Sequence, residues 1–479
     1  MKPFVVRELP RGLGSLHFIG IAGSGMSGIA RVFAERGHTV TGSDRADSEI
    51  VDSLRTAGIT VTIGHDAQNV GDVDTVVVSG AVRESNPELI QAHANGVNVL
   101  HRSEALRWLL RGKRTLAVAG SHGKTTTTAM LATSLERAGI DCGCVNGGVV
   151  SQWGVSSRDG GDDIFVIEAD ESDRSFVAYD PAIVLITNIA ADHLDFYGTL
   201  DAIYDAFEEF ATTARETIVL CADDPGTRHL ATLLPDAAPV MTYGVASDAD
   251  VTMTSLDAGP VARFMVGYQG GQASVELGVP GRLPALNATG VVAVLLSLGM
   301  TLVEAAQAVS GFSGAGRRFE YHGTVGGVRF FDDHAHHPTE VAAALETARS
   351  VVGAGRVITM FQPHLYSRTK YMASELAEAF AKGSDHTIFL DIFGSREDPI
   401  EGVTTQLILD RLPPGVSYEF QPDWDLACEA AIRIAAPGDL ILTMSTGDLY
   451  QIVPQLLAAK HLHDGGHDGG HDGGHNGSA

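Results

Sequence analysis

Short apolar runs alternate with longer amphipathic stretches from residue 16 to about residue 460. Runs of four to eight apolar residues predict buried strands, and apolar residues recurring every three or four positions predict helices. Alternation of the two along the chain favours βαβ units, which build parallel sheets with right-handed crossovers. The pattern therefore predicts an α/β fold.

The pattern changes at two points, so we expect three domains, at residues 1–112, 113–320 and 321–460. A tail follows at residues 461–479. Strands of the first segment are predicted at 16–21, 38–44, 61–65, 74–80 and 98–102, with helices ending at 36 and beginning at 87. Strands of the second are predicted at 115–119, 165–170, 183–189 and 217–224, with helices at 201–215, 286–298 and 302–309. Strands of the third are predicted at 328–333, 356–363, 386–393 and 439–445, with helices at 339–350, 370–382, 425–435 and 448–459.

Two stretches depart from this alternation. Residues 251–279 alternate polar and apolar positions with almost no helical signal, which predicts a small antiparallel sheet inside the second segment. The tail repeats HDGG every four residues and has no large apolar side chain, so it cannot bury a core. We expect it to be a disordered, solvated extension.

Composition narrows the class of protein. The chain has 479 residues, of which 44% are hydrophobic, and a net charge of −26. That charge argues against binding to nucleic acid or an acidic membrane. With neither a run of about 18 apolar residues nor an apolar signal core, the expectation is a cytoplasmic protein without membrane insertion. Four cysteines are too few for a disulfide framework and are expected to be buried thiols.

A glycine-rich loop follows the predicted strand TLAVA. Gly120-x-x-Gly123-Lys124-Thr125 is a shortened form of the phosphate-loop pattern, and a helix rich in threonine comes directly after it. Glycines let backbone N–H groups converge on an anion, and the helix N-terminus adds partial positive charge. Lys124 would reach the outer phosphates of a nucleotide and Thr125 would offer a hydroxyl to a metal ion.

A second glycine loop, Gly20-Ile-Ala-Gly23-Ser-Gly25-Met-Ser-Gly28, lies between the first predicted strand and helix. Asp44 ends the next strand, where a ribose-binding carboxylate would lie. The pattern fits either a NAD-binding domain or a site for a nucleotide diphosphate sugar, because both place a pyrophosphate at a helix N-terminus.

Polar clusters follow other predicted strands. The motif EADESD, which begins at Glu168, contains several carboxylates, and His193 follows the next strand. These side chains could form a metal site together with Thr125. Alternatively, His193 could cap a helix or lie in the core. In the third segment, histidines and arginines make a cationic cluster, and no tetrahedral zinc spacing is evident. The members of this cluster are His334, His336, His337, His364 and Arg368. Separately, the two arginines of GRRFE, just before the third segment, are suited to contacts with phosphate.

These motifs together resemble the Mur ligases of peptidoglycan synthesis, over nearly all of residues 16–460. GIAGSGMSGIA, GSHGKTTTT, EADESD, NIAADHLD, GRRFE, HHPTE and FQPH-x-Y-x-RT occur in the family's order. The resemblance implies a Rossmann-like N-terminal domain for a UDP sugar, a central ATPase domain and a Rossmann-like C-terminal domain. The implied reaction uses ATP and Mg²⁺ to ligate an amino acid to UDP-N-acetylmuramate, and the GMSG loop favours L-alanine. We expect a monomer or a homodimer, between which the sequence does not decide.

The resemblance also implies roles for individual residues. The implied catalytic residues are Lys124, Glu168, His193 and Arg318, and the implied magnesium ligands are Thr125, Glu168 and His193. The implied ATP contacts are Gly120, Ser121, His122, Gly123, Lys124, Thr125, Thr126, Asn287, Arg318 and Asp333. The implied UDP-sugar contacts are Gly23, Ser24, Gly25, Met26, Asp44, His65, Ser79 and Arg102. The implied amino-acid contacts are His336, His364 and Arg368. The chain departs from the family pattern at Leu283, Pro284, His334 and Leu365.

Three other functions remain open on the sequence. A NAD-dependent oxidoreductase would use the first glycine loop, but it leaves the Lys-Thr loop unexplained. A regulatory or transport ATPase would use the second segment only. Within the ligases, the rival is the recycling enzyme that attaches a whole tripeptide to the same sugar, and its N-terminal loop lacks the GMSG pattern.

Overall fold

The structure is a computed structural model that describes residues 7–23, 25–234, 238–395 and 397–465. Ser24 therefore lies outside the described residues. The described chain divides into two compact units. The first contains residues 7–257 and 261–316, and the second contains 258–260 and 317–465.

The first unit begins with a five-stranded parallel sheet in the order β3-β2-β1-β4-β5. Its strands are β1 (Leu16–Ile19), β2 (Val40–Asp44), β3 (Thr60–Ile63), β4 (Thr75–Val78) and β5 (Asn98–His101). Its helices are α1 (Met26–Glu35), α2 (Glu49–Thr56), α3 (Pro87–Ala94) and α4 (Arg102–Leu109), with a 3₁₀ turn at Ala67–Val70. The strand order reverses between β1 and β4, which opens a ligand crevice at the carboxyl ends of these strands. The predicted Rossmann-like domain is confirmed.

The second sheet has ten strands in the order β15-β14-β13-β12-β11-β10-β6-β9-β7-β8. The first seven in chain order are β6 (Arg114–Ala119), β7 (Gly143–Val150), β8 (Val155–Arg158), β9 (Ile164–Glu168), β10 (Ile183–Ile186), β11 (Thr217–Cys221) and β12 (Val240–Gly244). The last three are β13 (Val251–Asp257), β14 (Arg263–Tyr268) and β15 (Gly271–Glu276). The helices are α5 (Lys124–Arg137), α6 (Leu194–Tyr197), α7 (Leu200–Thr212), α8 (Pro225–Thr232), α9 (Arg282–Ser297) and α10 (Leu302–Val309), with a 3₁₀ turn at Ser175–Ala178.

The antiparallel strands predicted at residues 251–279 are present, but they do not form a sheet of their own. Tyr243 of β12 pairs in parallel with Val251 of β13, so β13, β14 and β15 extend the large sheet. The local alternation of residues predicted the hairpins correctly. That alternation does not indicate which other strand pairs with the outer edge of the hairpins, here β12 with β13.

The order of the large sheet positions its functional loops. β6 is flanked by β10 on one side and β9 on the other, and all three run in parallel. The loops after these strands therefore emerge side by side at one edge. The side chains of β10 are buried throughout, as are all but the first of β6, as expected for parallel strands covered on both faces.

The second unit contains a six-stranded sheet in the order β16-β17-β21-β18-β19-β20. Its strands are β16 (Glu320–Val325), β17 (Val328–Asp333), β18 (Val357–Phe361), β19 (His386–Phe389), β20 (Tyr418–Phe420) and β21 (Leu440–Met444). Its helices are α11 (Pro338–Val352), α12 (Tyr366–Gly383), α13 (Gln406–Leu409), α14 (Trp424–Ile434) and α15 (Val453–Gly465), with a 3₁₀ turn at Leu449–Ile452. β16 pairs antiparallel to β17, and the other pairs are parallel.

The end of the chain differs from the prediction. The last helix was predicted over 448–459 and the disordered tail from 461. Instead a 3₁₀ turn precedes α15, which continues to Gly465, so the start of the predicted tail is helical. Residues 466–479 lie outside the described residues. Leu456 is fully buried, which ties the start of α15 to the core of this unit.

Two predictions from composition can be compared with the structure. All four cysteines are buried free thiols, as predicted. Within the described residues, no helix is both long enough and apolar enough to cross a membrane.

Candidate active site

The loop between β6 and α5 has the backbone that the glycine pattern predicts. Gly120 has φ +132°, and a Cβ at this position would lie 2.2 Å from the Oγ1 of Thr187. Gly123 has φ +83°, and a Cβ there would approach Asn287 to 3.1 Å. Glycine is therefore required at both positions, because other residues rarely adopt this backbone conformation and because neighbouring side chains approach closely.

The loop is fixed to the segment after β10 by backbone and side-chain hydrogen bonds. The N–H groups of Ser121 and His122 donate to the backbone oxygen and the Oδ1 of Asn188, at 3.0 and 2.9 Å. Thr187 Oγ1 donates to the carbonyl of His122 at 2.6 Å, and the N–H of Ala190 donates to Ser121 Oγ at 2.9 Å. These four hydrogen bonds join the loop to residues 187–190. Sequence analysis missed the contributions of Thr187 and Asn188, which carry no charge.

Lys124 begins α5 and is paired with a buried carboxylate. Its Nζ lies 3.0 Å from Glu171 Oε1 and 2.8 Å from Oε2, and it donates to the carbonyl of Gly120 at 2.7 Å. Burial by itself would lower the pKa of Lys124, but the carboxylates of Glu171, Asp170 and Glu168 raise it above its usual value. Lys124 is therefore a permanent cation. Glu171 was not among the predicted site residues, because EADESD offers several carboxylates with no signal of which points inward.

Thr125 and Glu168 come together, as predicted. The hydroxyl of Thr125 donates to Glu168 Oε1 at 3.1 Å, and the other carboxylate oxygen accepts the N–H of Gly147 at 2.7 Å. A hydroxyl and a carboxylate oxygen beside the phosphate loop are the hard oxygen donors that Mg²⁺ prefers. The donor chemistry of this pair therefore fits the implied metal ion.

His193 lies next to Glu171. Its Nε2 is 3.8 Å from Glu171 Oε1 and 3.8 Å from Asp192 Oδ2, and its backbone is left-handed at φ +54°. Across the described residues there is no preformed group of three or more His, Cys, Asp or Glu side chains that could hold a metal ion. His193 and Lys124 instead share Glu171 as a neighbour, which sequence reasoning did not anticipate.

The remaining residues predicted to contact ATP in this unit lie around the same loop. Asn287 is on α9 with its side-chain amide facing Gly123. Thr126 is half-buried in the first turn of α5. The structure thus gathers this predicted set about one loop.

The carboxyl edge of the first sheet carries the residues predicted to bind the UDP sugar. Gly25 caps α1 at φ +77°, Met26 is buried in its first turn, and Gly23 accepts the N–H of Met26 at 3.0 Å. Asp44 Oδ2 accepts the N–H of Ala22 at 2.9 Å, so the carboxylate braces the glycine loop. Half-buried Ser79 follows β4, the strand across the crevice from β1.

Arg102 links this edge to the loop after β9. Its Nη2 donates to Asp170 Oδ2 at 2.7 Å and lies 3.4 Å from Asp173 Oδ2. A Cβ on Gly25 would lie 3.5 Å from its Nη1. Burial would lower the pKa of Arg102, but Asp170 and Asp173 raise it. Arg102 therefore stands between the glycine loop and the EADESD loop, a position for contact with a phosphate group.

A buried polar network lies beneath His65. Glu88, which has no exposed surface, accepts from Ser43 Oγ at 2.6 Å and from Asn69 Nδ2 at 2.7 Å, and its Oε2 lies 3.4 Å from His17 Nε2. Burial would raise the pKa of Glu88, but the hydrogen bonds from His17, Ser43 and Asn69 lower it to about 2. The carboxylate is therefore ionised. Sequence analysis missed this network because Glu88 reads as an ordinary acidic residue in the first turn of a helix.

The second unit gathers its predicted residues at the carboxyl ends of β17 and β18. Asp333 ends β17 and accepts the N–H groups of Phe319 and Ala335, each at 2.7 Å. Burial raises the pKa of Asp333 to about 7, against the lowering influence of Arg318 and of these two N–H groups. Arg318 and Asp333 are therefore electrostatic neighbours, as their predicted contacts with one nucleotide require.

The predicted amino-acid residues His336, His364 and Arg368 form a row with His334, which follows Asp333. The rings of His334 and His336 have centroids 5.6 Å apart, and those of His336 and His364 are 5.3 Å apart. Arg368 Nη1 lies 2.9 Å from His364 Nδ1. Burial, with the charges of Arg318 and His336, lowers the pKa of His334 well below its usual value, so that ring is neutral at pH 7. His337 differs from the others, because it caps α11 in a reciprocal pair with Glu340.

Family models match three consecutive stretches of the chain. Residues 15–114 match the catalytic domain of the Mur ligase family, residues 118–295 match the Mur ligase middle domain, and residues 317–447 match the Mur ligase glutamate ligase domain. The chain belongs to the Mur ligase family. The resemblance noted in the sequence motifs is thereby confirmed.

Individual relatives of this Mur ligase cover almost its whole length. A UDP-N-acetylmuramate–L-alanine ligase of Clavibacter sepedonicus is 50% identical over 460 residues, which are 96% of each chain. Another from Thermobifida fusca is 44% identical over 458 residues, covering 93% of this chain and 97% of its own.

Solved structures give the same family. The crystal structure of UDP-N-acetylmuramate–alanine ligase from Thermotoga maritima matches this Mur ligase with a TM-score of 0.80 at 29% identity, covering 93% of this chain and 98% of its own. A murein peptide ligase from Psychrobacter arcticus matches with a TM-score of 0.71 at 27% identity, covering 94% and 99%.

Proposed function

We propose that this Mur ligase joins L-alanine to the lactyl carboxylate of UDP-N-acetylmuramate, converting ATP to ADP and phosphate, in the synthesis of a peptidoglycan precursor. The observation that carries the proposal is the phosphate loop with Lys124 and the Thr125–Glu168 pair at its end. It occurs in a chain 50% identical, over 96% of its length, to a protein named as the L-alanine ligase.

We assign the substrates to three domains. Residues 1–112 would bind the UDP sugar at the carboxyl edge of the first sheet, and residues 113–320 would bind ATP. Residues 321–460 would supply the amino-acid contacts His336, His364 and Arg368, together with Arg318 and Asp333 for the nucleotide near that boundary. Each assignment rests on a sheet whose crevice lies at strand carboxyl ends, where α/β folds bind ligands.

The chemical problem is that a carboxylate resists attack by an amine. In the proposed reaction a lactyl carboxylate oxygen attacks the γ-phosphorus of ATP, ADP leaves, and an acyl phosphate forms. The alanine amine then attacks the acyl carbon, phosphate leaves with the C–O bond electrons, and the amine loses a proton. Both steps gather negative charge, so catalysis depends on positioning and electrostatic stabilisation.

This chain's own residues account for that stabilisation. Lys124 would exchange Glu171 for the outer phosphates, and Arg318 would contact the transferred phosphoryl group. Thr125 and Glu168, with His193 as a further ligand, would hold Mg²⁺, which would neutralise phosphate charge when bound. The row of His334, His336 and His364 provides imidazoles that could accept the proton released by the amine.

A second candidate within the family is ligation of a whole peptide to the same sugar, favoured by the structural match to a murein peptide ligase. Phosphate release by the purified protein with ATP, Mg²⁺ and UDP-N-acetylmuramate distinguishes the two. Alanine, glycine, serine and a tripeptide are supplied in turn. We expect turnover to be fastest with alanine; turnover with the tripeptide alone would replace the proposal by the second candidate.

We also propose a cytoplasmic location, because the reaction consumes ATP. The NAD-dependent oxidoreductase considered on the sequence is set aside, because the family models that match the chain are those of ligases. An ATPase that lacks a carboxylate acceptor is set aside for the same reason.

A further inference from the structure

The buried network under His65 joins three consecutive strands of the first sheet and helix α3. Glu88 lies in the first turn of α3, His17 is on β1, and Ser43 is on β2. His65 follows β3 and keeps 28% of its side chain exposed at the carboxyl edge of the sheet. An exposed ring is thus connected to a fully buried carboxylate.

The direction of each hydrogen bond follows from the ionised state of Glu88. A carboxylate only accepts, so Ser43 Oγ donates its single proton to Glu88 Oε2 at 2.6 Å. The oxygen of Ser43 is then left to accept, and His65 Nδ1 lies 3.1 Å from it. The same nitrogen lies 3.4 Å from Glu88 Oε1. Both contacts require a proton on Nδ1.

The tautomer of His65 decides what its exposed edge can bind. A neutral imidazole with a proton on Nδ1 carries a lone pair on Nε2. Such a nitrogen accepts a hydrogen bond from an N–H or O–H group and does not donate to a phosphate oxygen. In UDP the groups that can donate to it are the uracil N–H and the ribose hydroxyls.

We propose that Glu88 is a positioning residue of the nucleotide-sugar site: acting through Ser43, it holds His65 with Nε2 as an acceptor for an N–H or O–H donor of the uridine moiety. The inference rests on the proposed function, which places the UDP sugar at this edge. Fixing a histidine tautomer through a carboxylate that itself contacts no ligand is a recognised use of buried acids.

The test measures binding of UDP and of ATP to the full-length protein by calorimetry. The variants are Glu88→Gln, which can no longer accept at both oxygens, and Ser43→Ala, which removes the connecting hydroxyl. The matched control is Thr41→Val, on the same strand β2, which removes a hydroxyl 2.9 Å from His17 Nδ1 on the far side of the network. We expect both variants to weaken UDP binding about tenfold, the equivalent of about 1.4 kcal/mol, with the control within about twofold.

Affinity for ATP distinguishes a positioning role from general loosening of the fold. We expect ATP binding and melting temperature to be close to wild type in Ser43→Ala, even where Glu88→Gln loses stability. UDP affinity unchanged in both variants, or equal losses for UDP and ATP, would overturn the inference. Wild-type protein that binds ATP but no UDP would instead remove the proposed function on which the inference rests.

Discussion

The ammonium of Lys124 lies 2.8 Å from Glu171 Oε2, so the cation of the phosphate loop is paired with a buried carboxylate. Phosphates that bind Lys124 must compete with that carboxylate. The same carboxylate lies 3.8 Å from His193 Nε2. Glu171 therefore lies between Lys124 and His193, to which we assign catalytic roles. It was not itself among the predicted site residues.

Replacement of Lys124 by alanine should lower kcat/KM by about a hundredfold or more, because one donor to the developing phosphoryl charge is lost. Binding of the UDP sugar, assigned to a different sheet, should persist. Steady-state phosphate release and calorimetry with the UDP sugar measure the two effects. Lys113→Ala is the control, since Lys113 immediately precedes β6, at its amino end, and its ammonium donates to the carbonyl of Asp162 at 2.9 Å. Near-normal turnover by Lys124→Ala would contradict the assigned role.

Replacement of Glu171 by glutamine should lower the melting temperature and increase the stabilisation that ATP provides. The loss leaves the buried ammonium of Lys124 poorly compensated, at a cost of about 1–3 kcal/mol. It also removes the group that competes with phosphate. Differential scanning fluorimetry with and without ATP and Mg²⁺ gives both numbers. Glu136→Gln, which breaks the ion pair with Arg158 at the other end of α5, should leave the ATP-induced shift as in wild type. An ATP-induced shift no larger than that of wild type would contradict the competition.

Much of this arrangement was predictable because it depends on local pattern. Gly120, Gly123 and Lys124 follow a buried strand and open a helix, and each part of that signal is local in sequence. The strands that carry Glu168 and Asp333 were predicted from apolar runs that end in a carboxylate. Local pattern therefore fixed which residues stand at strand ends.

The contacts between these side chains could not be predicted, because they depend on the order of the strands in the sheet. β6 lies between β9 and β10, and only that order brings Lys124 to Glu171. The strands β7, β8, β12, β16 and β20 were missed, since glycines interrupt the first and the other four have few buried apolar positions. Burial of Glu88 is likewise invisible locally, because a glutamate in the first turn of a helix is a common surface feature.

Substitution of Gly120 by alanine should reduce stability far more than substitution of Gly139. Both glycines have positive φ, so each replacement carries a backbone cost of about 1–2 kcal/mol. At Gly120 the added Cβ also meets Thr187 at 2.2 Å, whereas at Gly139 nothing lies within 4 Å. Urea unfolding of the two variants, with ATP binding as a second readout, makes the comparison. Equal losses would show that the loop tolerates the side chain and that its close packing is overstated.

The stability of the second unit should depend on pH through Asp333. Burial raises the pKa of Asp333 to about 7, so the folded chain keeps this proton at pH values where the unfolded chain has lost it. Stability from this group is complete below about pH 4 and is lost as pH rises to about 7, at about 1.4 kcal/mol per unit of pKa shift. The melting temperature of Asp333→Asn minus that of wild type should therefore be larger at pH 8 than at pH 5. A difference between the two proteins that does not change with pH would contradict the raised pKa.

The central claim is that ATP converts the sugar carboxylate into an acyl phosphate before the amine attacks. The most direct test supplies UDP-N-acetylmuramate with ¹⁸O in its lactyl carboxylate, together with ATP, Mg²⁺ and L-alanine, and analyses the released phosphate by mass spectrometry. The mechanism predicts transfer of one carboxylate oxygen to each phosphate, with sustained ADP formation only when sugar and alanine are both present. Phosphate that instead takes its new oxygen from the solvent water would contradict the account.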